Sequence, residues 1–137
     1  MNDTLEQAQQ SGVAPWDLKV EDLSDFHVTV FEDRFPVTHG HLLFVPNYNT
    51  PSVITDAFES ALRHGQSLVN SGKCDAFNVG INMGKAAGQT VMYPHVHLIP
   101  RHTGDCADPI GGVRGVIVGQ ANYKKTGYQS PGNIGHW

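Results

Sequence analysis

The spacing of apolar positions changes along the chain, and each change marks an element. Phe26-His27-Val28-Thr29-Val30-Phe31 is β-branched and aromatic and predicts a strand. Glu32-Asp33-Arg34-Phe35-Pro36 interrupts it with a charged turn. His41-Leu42-Leu43-Phe44-Val45-Pro46 predicts a second strand, and the two form an antiparallel ribbon. After the breaker at Asn49 to Ser52, the residues Ile54, Ala57, Phe58, Ala61, Leu62, Gly65, Leu68 and Val69 recur at helical spacing on one face. Gly72 is a plausible C′ stop. Phe77 to Met83 alternates and predicts a third strand; Gly84 to Gly88 is a small-residue loop. Thr90 to Ile99 predicts a fourth, ended by Pro100. Residues 1–24 are polar with scattered apolar positions. From His102 onward the chain is polar and glycine-rich, with one apolar piece at Val113 to Val118. Strands outnumber helices and hairpins dominate, so an α+β fold with an antiparallel sheet is expected.

Composition narrows the function classes. The 137 residues are one domain's worth of chain. A net charge of −4 argues against a nucleic-acid-coating protein, which carries a basic face. Fifteen glycines and eight prolines, without a period, indicate a loop-rich fold. No apolar run is long enough to cross a bilayer, and Met1 to Gln10 lacks the apolar core of a secretory leader. Cys74 and Cys106 read as two thiols of a reducing cytosol, so a cytoplasmic location is expected.

Histidine carries the chemistry. Of the eight, four fall into two His-x-His pairs, at His39 and His41 and at His95 and His97. In a strand, Tyr93, His95 and His97 line one face while Met92, Pro94, Val96 and Leu98 line the other. The Cα atoms of His95 and His97 lie about 6.5 Å apart along a strand, so their imidazoles can both reach one small anion such as a phosphate. The same alternation is also ordinary for an antiparallel sheet with one polar face. Pro94 has no N–H, which predicts an edge or a bulge there. Gly80-Ile81-Asn82-Met83-Gly84 and Gly88-Gln89-Thr90 flank the pair with backbone amides and hydroxyls that can cradle an anion.

The run Gly88-Gln89-Thr90-Val91-Met92-Tyr93-Pro94-His95-Val96-His97-Leu98-Ile99-Pro100-Arg101 resembles the signature of the histidine triad (HIT) family. Phe31 to Pro36 and His41 to Pro46 are similar to the family's first half. His102-Thr103-Gly104-Asp105 and Gly111 to Ile117 resemble bacterial members near the diadenosine polyphosphate hydrolases. The likeness covers about residues 15–120 and implies a single HIT-like domain over 1–137, with 121–137 as a tail. It implies a sheet of about five antiparallel strands with one main helix packed on it. By the same resemblance His95 is the nucleophile, His97 contacts phosphate oxygens and His41 stands beside the triad. Asn82 and Thr90 would bind the α-phosphate, Gln89 would lie near the leaving group, Asp33 would accept from the ribose hydroxyls, and Phe31 and Arg34 would flank the base. The departure is Tyr93, which occupies the position of the first triad histidine. Its carbonyl can still orient His95, and its hydroxyl is expected to replace the missing imidazole in part. Arg101 and Arg114 could reach distal phosphates or be surface charges.

The resemblance implies a hydrolase or transferase acting on the α-phosphate of dinucleoside polyphosphates or related conjugates through a nucleotidyl-histidine. No cofactor is expected, although a divalent metal could accompany a polyphosphate. A small-molecule nucleotide is the expected partner, with no nucleic acid and no membrane, and the resemblance implies a homodimer. A nucleoside phosphoramidase is the near neighbour, since only the scissile bond differs. Two other classes stay open. One is a nucleotide-binding module without catalysis, favoured by Tyr93. The other is a metalloprotein using His39, His41, His95 and His97, in which the Gly-Gln-Thr loop and Asp33 have no part. His102 and Cys106 have i, i+4 spacing but too few companions for a metal site. His27, His39, His64 and His136 fit no motif position.

Overall fold

The structure is a computed structural model that describes residues 2–125; His136 and most of the expected tail lie outside them. The chain divides into two compact units, Met1–Thr103 and Gly104–Trp137. The first holds α1 (Leu5–Gln10), β1 (Val28–Glu32), β2 (Leu42–Pro46), α2 (Pro51–Asn70), β3 (Ala76–Ile81) and β4 (Val96–Arg101). The strands form one antiparallel sheet in the order β1-β2-β4-β3. Among the described residues there are four strands where about five are expected. The segment before β1 adds only an isolated bridge, Lys19 to Phe31, and two bonds, Val20 N to Val30 O and Glu32 N to Leu18 O, both 2.8 Å.

Alternation along the strands builds two apolar layers. Val28, Val30, Leu42, Phe44, Val96 and Leu98 face α2, which meets them with Ala57 and Ala61. Phe31, Leu43, Val45 and Tyr93 face the other way, where Leu5, Ala8 and Ala14 of the N-terminal arm cover them. β2 is therefore buried along its whole length. Helix α2 starts where its sequence says it should. The Thr50 hydroxyl accepts from Val53 N at 3.3 Å, and Pro51 fills the first turn, where no N–H is needed. Leu62, expected on the buried stripe, is half exposed, because the tight approach of α2 is made by Ala57, Ala61 and Gly65.

The histidine strand begins later than its pattern predicts. Thr90 to His95 is irregular, and β4 starts at Val96. Pro94 cannot donate to a ladder, and pairing begins only beyond it, with Val96 opposite Phe44 and Ile81. In the second unit a short 3-10 turn, Gly112–Val116, is braced by Arg114, whose Nε donates to Ala121 O at 3.1 Å. Asn122 Nδ2 donates to Asp108 Oδ2 at 2.9 Å.

Candidate active site

The site lies on the sheet face opposite α2. His97 sits in β4 opposite Leu43 and Gly80, and His95 immediately precedes the strand. The turn between β1 and β2 carries Asp33 and delivers His41 to the same face. That turn is closed on itself: Asp33 N donates to His41 O, Phe35 N to Asp33 Oδ1, and His41 N to Thr38 O. Thr38 Oγ1 ties it to β4 through Pro100 O at 2.7 Å.

Hydrogen bonds assign the protons on the rings. Tyr93 O lies 2.8 Å from His95 Nδ1. A carbonyl only accepts, so Nδ1 carries the hydrogen and Nε2 holds the lone pair. Val37 N–H donates to His41 Nδ1 at 3.1 Å, so in the neutral ring the hydrogen is on Nε2. That Nε2 lies 2.9 Å from His97 Nδ1 and 3.5 Å from Asp33 Oδ2. His97 accepts at Nδ1 and keeps its own hydrogen on Nε2. The result is a directional chain from the Val37 amide through His41 to His97, next to a nucleophilic nitrogen on His95.

Burial keeps these rings neutral. Desolvation lowers the pKa of His41 against the opposing pull of Asp33. The same cause lowers His95, against its bond to the Tyr93 carbonyl and the charge of Asp33. His97 is pushed down to about 4, by burial first and then by His95 and His41. At neutral pH it is a hydrogen-bond donor and carries no positive charge.

The remaining expected residues are placed as follows. Asn82 follows Ile81, the register partner of Val96, and so falls at the level of His95, half-buried. Gln89 is buried and braces its own loop: Oε1 accepts from Gly84 N at 2.8 Å and Nε2 donates to Val91 O at 3.0 Å. Thr90 is exposed. Arg34 pairs with Asp17 at the surface. Phe31 is fully buried, with Trp16 lying over it at a ring-centroid distance of 5.9 Å. The Tyr93 side chain is also fully buried. Its hydroxyl donates to Pro46 O at 2.7 Å, so it does not take over the contacts of an imidazole beside His41. Trp16 itself is the residue that periodicity did not reveal. It lies in an irregular stretch, and its ring meets His95 edge-on at 4.9 Å.

Of the four histidines considered as a metal set, His39 is exposed, and among the described residues the ligand atoms that converge belong to Asp33, His41 and His97. This donor set fits a cation poorly. A histidine bound through Nε2 normally donates its Nδ1–H to an acceptor. Here His41 Nδ1 receives an amide hydrogen, so a metal on Nε2 would require either an imidazolate or the loss of the bond from Val37 N.

Similar proteins bear on this geometry. The chain is 36% identical over 81 residues to adenylylsulfatase HINT3 of Arabidopsis thaliana, covering 54% of this chain and 41% of that protein. It is 38% identical over 85 residues to the asymmetrical bis(5'-nucleosyl)-tetraphosphatase of Schizosaccharomyces pombe, covering 57% and 47%. It thus spans less than half the length of each. A zinc-bound histidine triad family protein from Mycobacterium smegmatis superposes with a TM-score of 0.62 at 29% identity, over 77% of this chain and 79% of that one. The family model of the HIT domain matches residues 23–104, from the turn before β1 through the Asp33 loop, α2 and the whole histidine strand. A match that takes in more than half of the chain, and every element that positions His41, His95 and His97, makes this protein a member of the HIT family.

Proposed function

We propose that the protein hydrolyses or transfers the nucleoside 5'-phosphoryl group of a nucleotide conjugate through a covalent nucleotidyl-histidine on His95. The observation that carries this reading is the 2.8 Å bond from His95 Nδ1 to Tyr93 O, which leaves Nε2 unprotonated beside the His97 donor. In the first step Nε2 attacks the α-phosphorus; the N–P bond forms and the bond to the leaving group breaks with its electron pair. A sulfate or nucleoside polyphosphate leaves as an anion and needs no proton at neutral pH. Water then attacks the same phosphorus and gives up a proton to solvent, the N–P bond breaks, and its electron pair returns to His95 Nε2. His97 Nε2–H binds a phosphoryl oxygen as charge develops there. Asp33 supplies a carboxylate for the ribose hydroxyls.

A dinucleoside tetraphosphate and an adenylyl sulfate, the substrates that two relatives' names denote, share this nucleoside 5'-phosphoryl unit. The diadenosine polyphosphate branch is our preferred substrate class. A phosphoramidate would be cleaved by the same attack, its amine taking a proton as it leaves. We also propose a cytoplasmic homodimer joined along β3, since β3 ends the sheet with no strand on its outer side among the described residues. Light scattering of the purified chain measures that mass directly.

The mechanism is tested by mixing enzyme with a dinucleoside polyphosphate, quenching early and seeking a nucleotidyl adduct by peptide mass spectrometry. The adduct should fall on His95. His95→Asn should abolish it and slow turnover at least about a thousandfold, roughly 4 kcal/mol of barrier. Turnover within tenfold of wild type in that variant would sink the mechanism.

A further inference from the structure

Trp16 sits where no motif residue is expected, yet its backbone is tied down on both sides. Its carbonyl accepts from Gln9 Nε2 at 3.4 Å. Asp17 pairs with Arg34, Leu18 O accepts from Glu32 N at 2.8 Å, and Lys19 bridges to Phe31. The indole leans on Phe31 with a 35° interplanar angle and meets the His95 ring in a T-shaped contact at 61°. Beneath them lie Ala8, Ala14 and Tyr93, all buried. His95 has one hydrogen-bonded nitrogen, at Tyr93 O. A ring held at one atom can still pivot about it, and a second contact on the ring removes that freedom.

We propose that Trp16 is the positioning residue of His95: the indole and the Tyr93 carbonyl hold the imidazole between them and keep Nε2 aimed at the reacting atom. The identity of that reacting atom rests on the nucleotidyl-transfer reading above; the clamp on the ring does not. The contact joins the N-terminal arm, which carries no motif, to the nucleophile. The charged and titratable groups around His95 are Asp33 from the β1–β2 turn, His97 from β4 and Tyr93 from the segment just before β4; Asp17 on the Trp16 segment is paired with Arg34. Trp16 adds no charge and acts by contact and by excluding water.

Ring-labelled histidine NMR titrations of ligand-free wild type, Trp16→Ala and Trp16→Phe test the clamp without any substrate. His64 is the internal control: it lies against Phe44, in the layer that faces α2, and burial also lowers its pKa. Trp16→Ala should raise the His95 midpoint toward 6.5 and leave that of His64 unmoved, and Trp16→Phe should return the His95 midpoint most of the way. In turnover, Trp16→Ala should lower kcat about tenfold or more with KM little changed, and Trp16→Phe should recover most of it. A His95 midpoint that stays put, or one that moves together with that of His64, overturns the proposal. So does a rise in KM at constant kcat, which would make Trp16 a platform for the base. If the wild type turns over no nucleotide conjugate, the functional reading fails while the NMR shift still decides the clamp.

Discussion

Tyr93 separates what a residue does with its backbone from what it does with its side chain. Its carbonyl fixes the tautomer of His95, while its phenol fills the second apolar layer and donates to Pro46 O. Burial raises the phenol pKa to about 12, so it stays protonated and is no acid near neutrality. Tyr93→Phe should therefore change kcat/KM less than tenfold, under about 1.4 kcal/mol. It should cost stability of about 1 kcal/mol, because Pro46 O loses its donor. Tyr93→His, which restores the spelling of the triad, should be the more destabilising of the two, since a smaller polar ring would sit in an apolar layer. Paired thermal melts and initial rates check both; a hundredfold rate loss in Tyr93→Phe would make the phenol a working catalytic group. The placing of His95 and His97 on one face was legible in the sequence because strand alternation is local in the chain; the loop before them was legible as a turn, in which Gln89 braces its own backbone. The burial of Tyr93 was not, because it depends on the N-terminal arm. Trp16 was hidden for the same reason: its partner, His95, is far away in sequence and the segment between α1 and β1 has no period.

At the scale of elements, the ribbon, α2 and β3 follow their apolar patterns to within a few residues: α2 buries one helical face, β2 is apolar and buried throughout, and β3 alternates while only half-buried. The start of β4 does not, since a proline overrides an otherwise strand-like run. The seat of α2 depends on a residue whose value is its missing side chain. A Cβ on Gly65 would lie 2.6 Å from Cδ2 and 2.7 Å from Cγ of Phe77. Because Cγ lies on the χ2 axis, turning the ring about χ2 cannot relieve the clash, and either Phe77 must leave its χ1 rotamer or α2 must shift from the sheet. Alanine would gain about 1 kcal/mol of helix propensity over glycine, but overpacking costs typically 1–3 kcal/mol. Gly65→Ala should therefore lower stability by a net of about 1 kcal/mol, read as a lower urea midpoint. An unchanged or raised midpoint in urea would show that the α2–β3 interface yields freely.

Across the whole molecule, the neutral histidines link the site to the stability of the fold. His41, His95 and His97 all titrate below the ordinary 6.5, His97 at about 4, with burial as the leading cause. Between the two values the unfolded chain binds more protons than the folded one, so stability falls as pH falls. The contribution is complete above about pH 6.5 and is lost progressively toward about pH 4. For His97, which is partly exposed, it amounts to no more than about 2 kcal/mol after solvent screening. Protonation also has a geometric consequence. A hydrogen added to His97 Nδ1 would face the hydrogen of His41 Nε2 across 2.9 Å, and one of the bonds joining the β1–β2 turn to β4 would be lost, leaving that of Thr38 to Pro100 O. Melting temperatures measured from pH 8 to pH 4 should therefore fall less steeply in His97→Gln than in wild type, although the variant starts lower at pH 8. The amide can still accept from His41 but does not titrate, so the difference between the two curves isolates the His97 proton. Parallel curves would mean that His97 binds its proton equally in the folded and unfolded states, and the directional chain from Val37 to His97 would then not persist in solution.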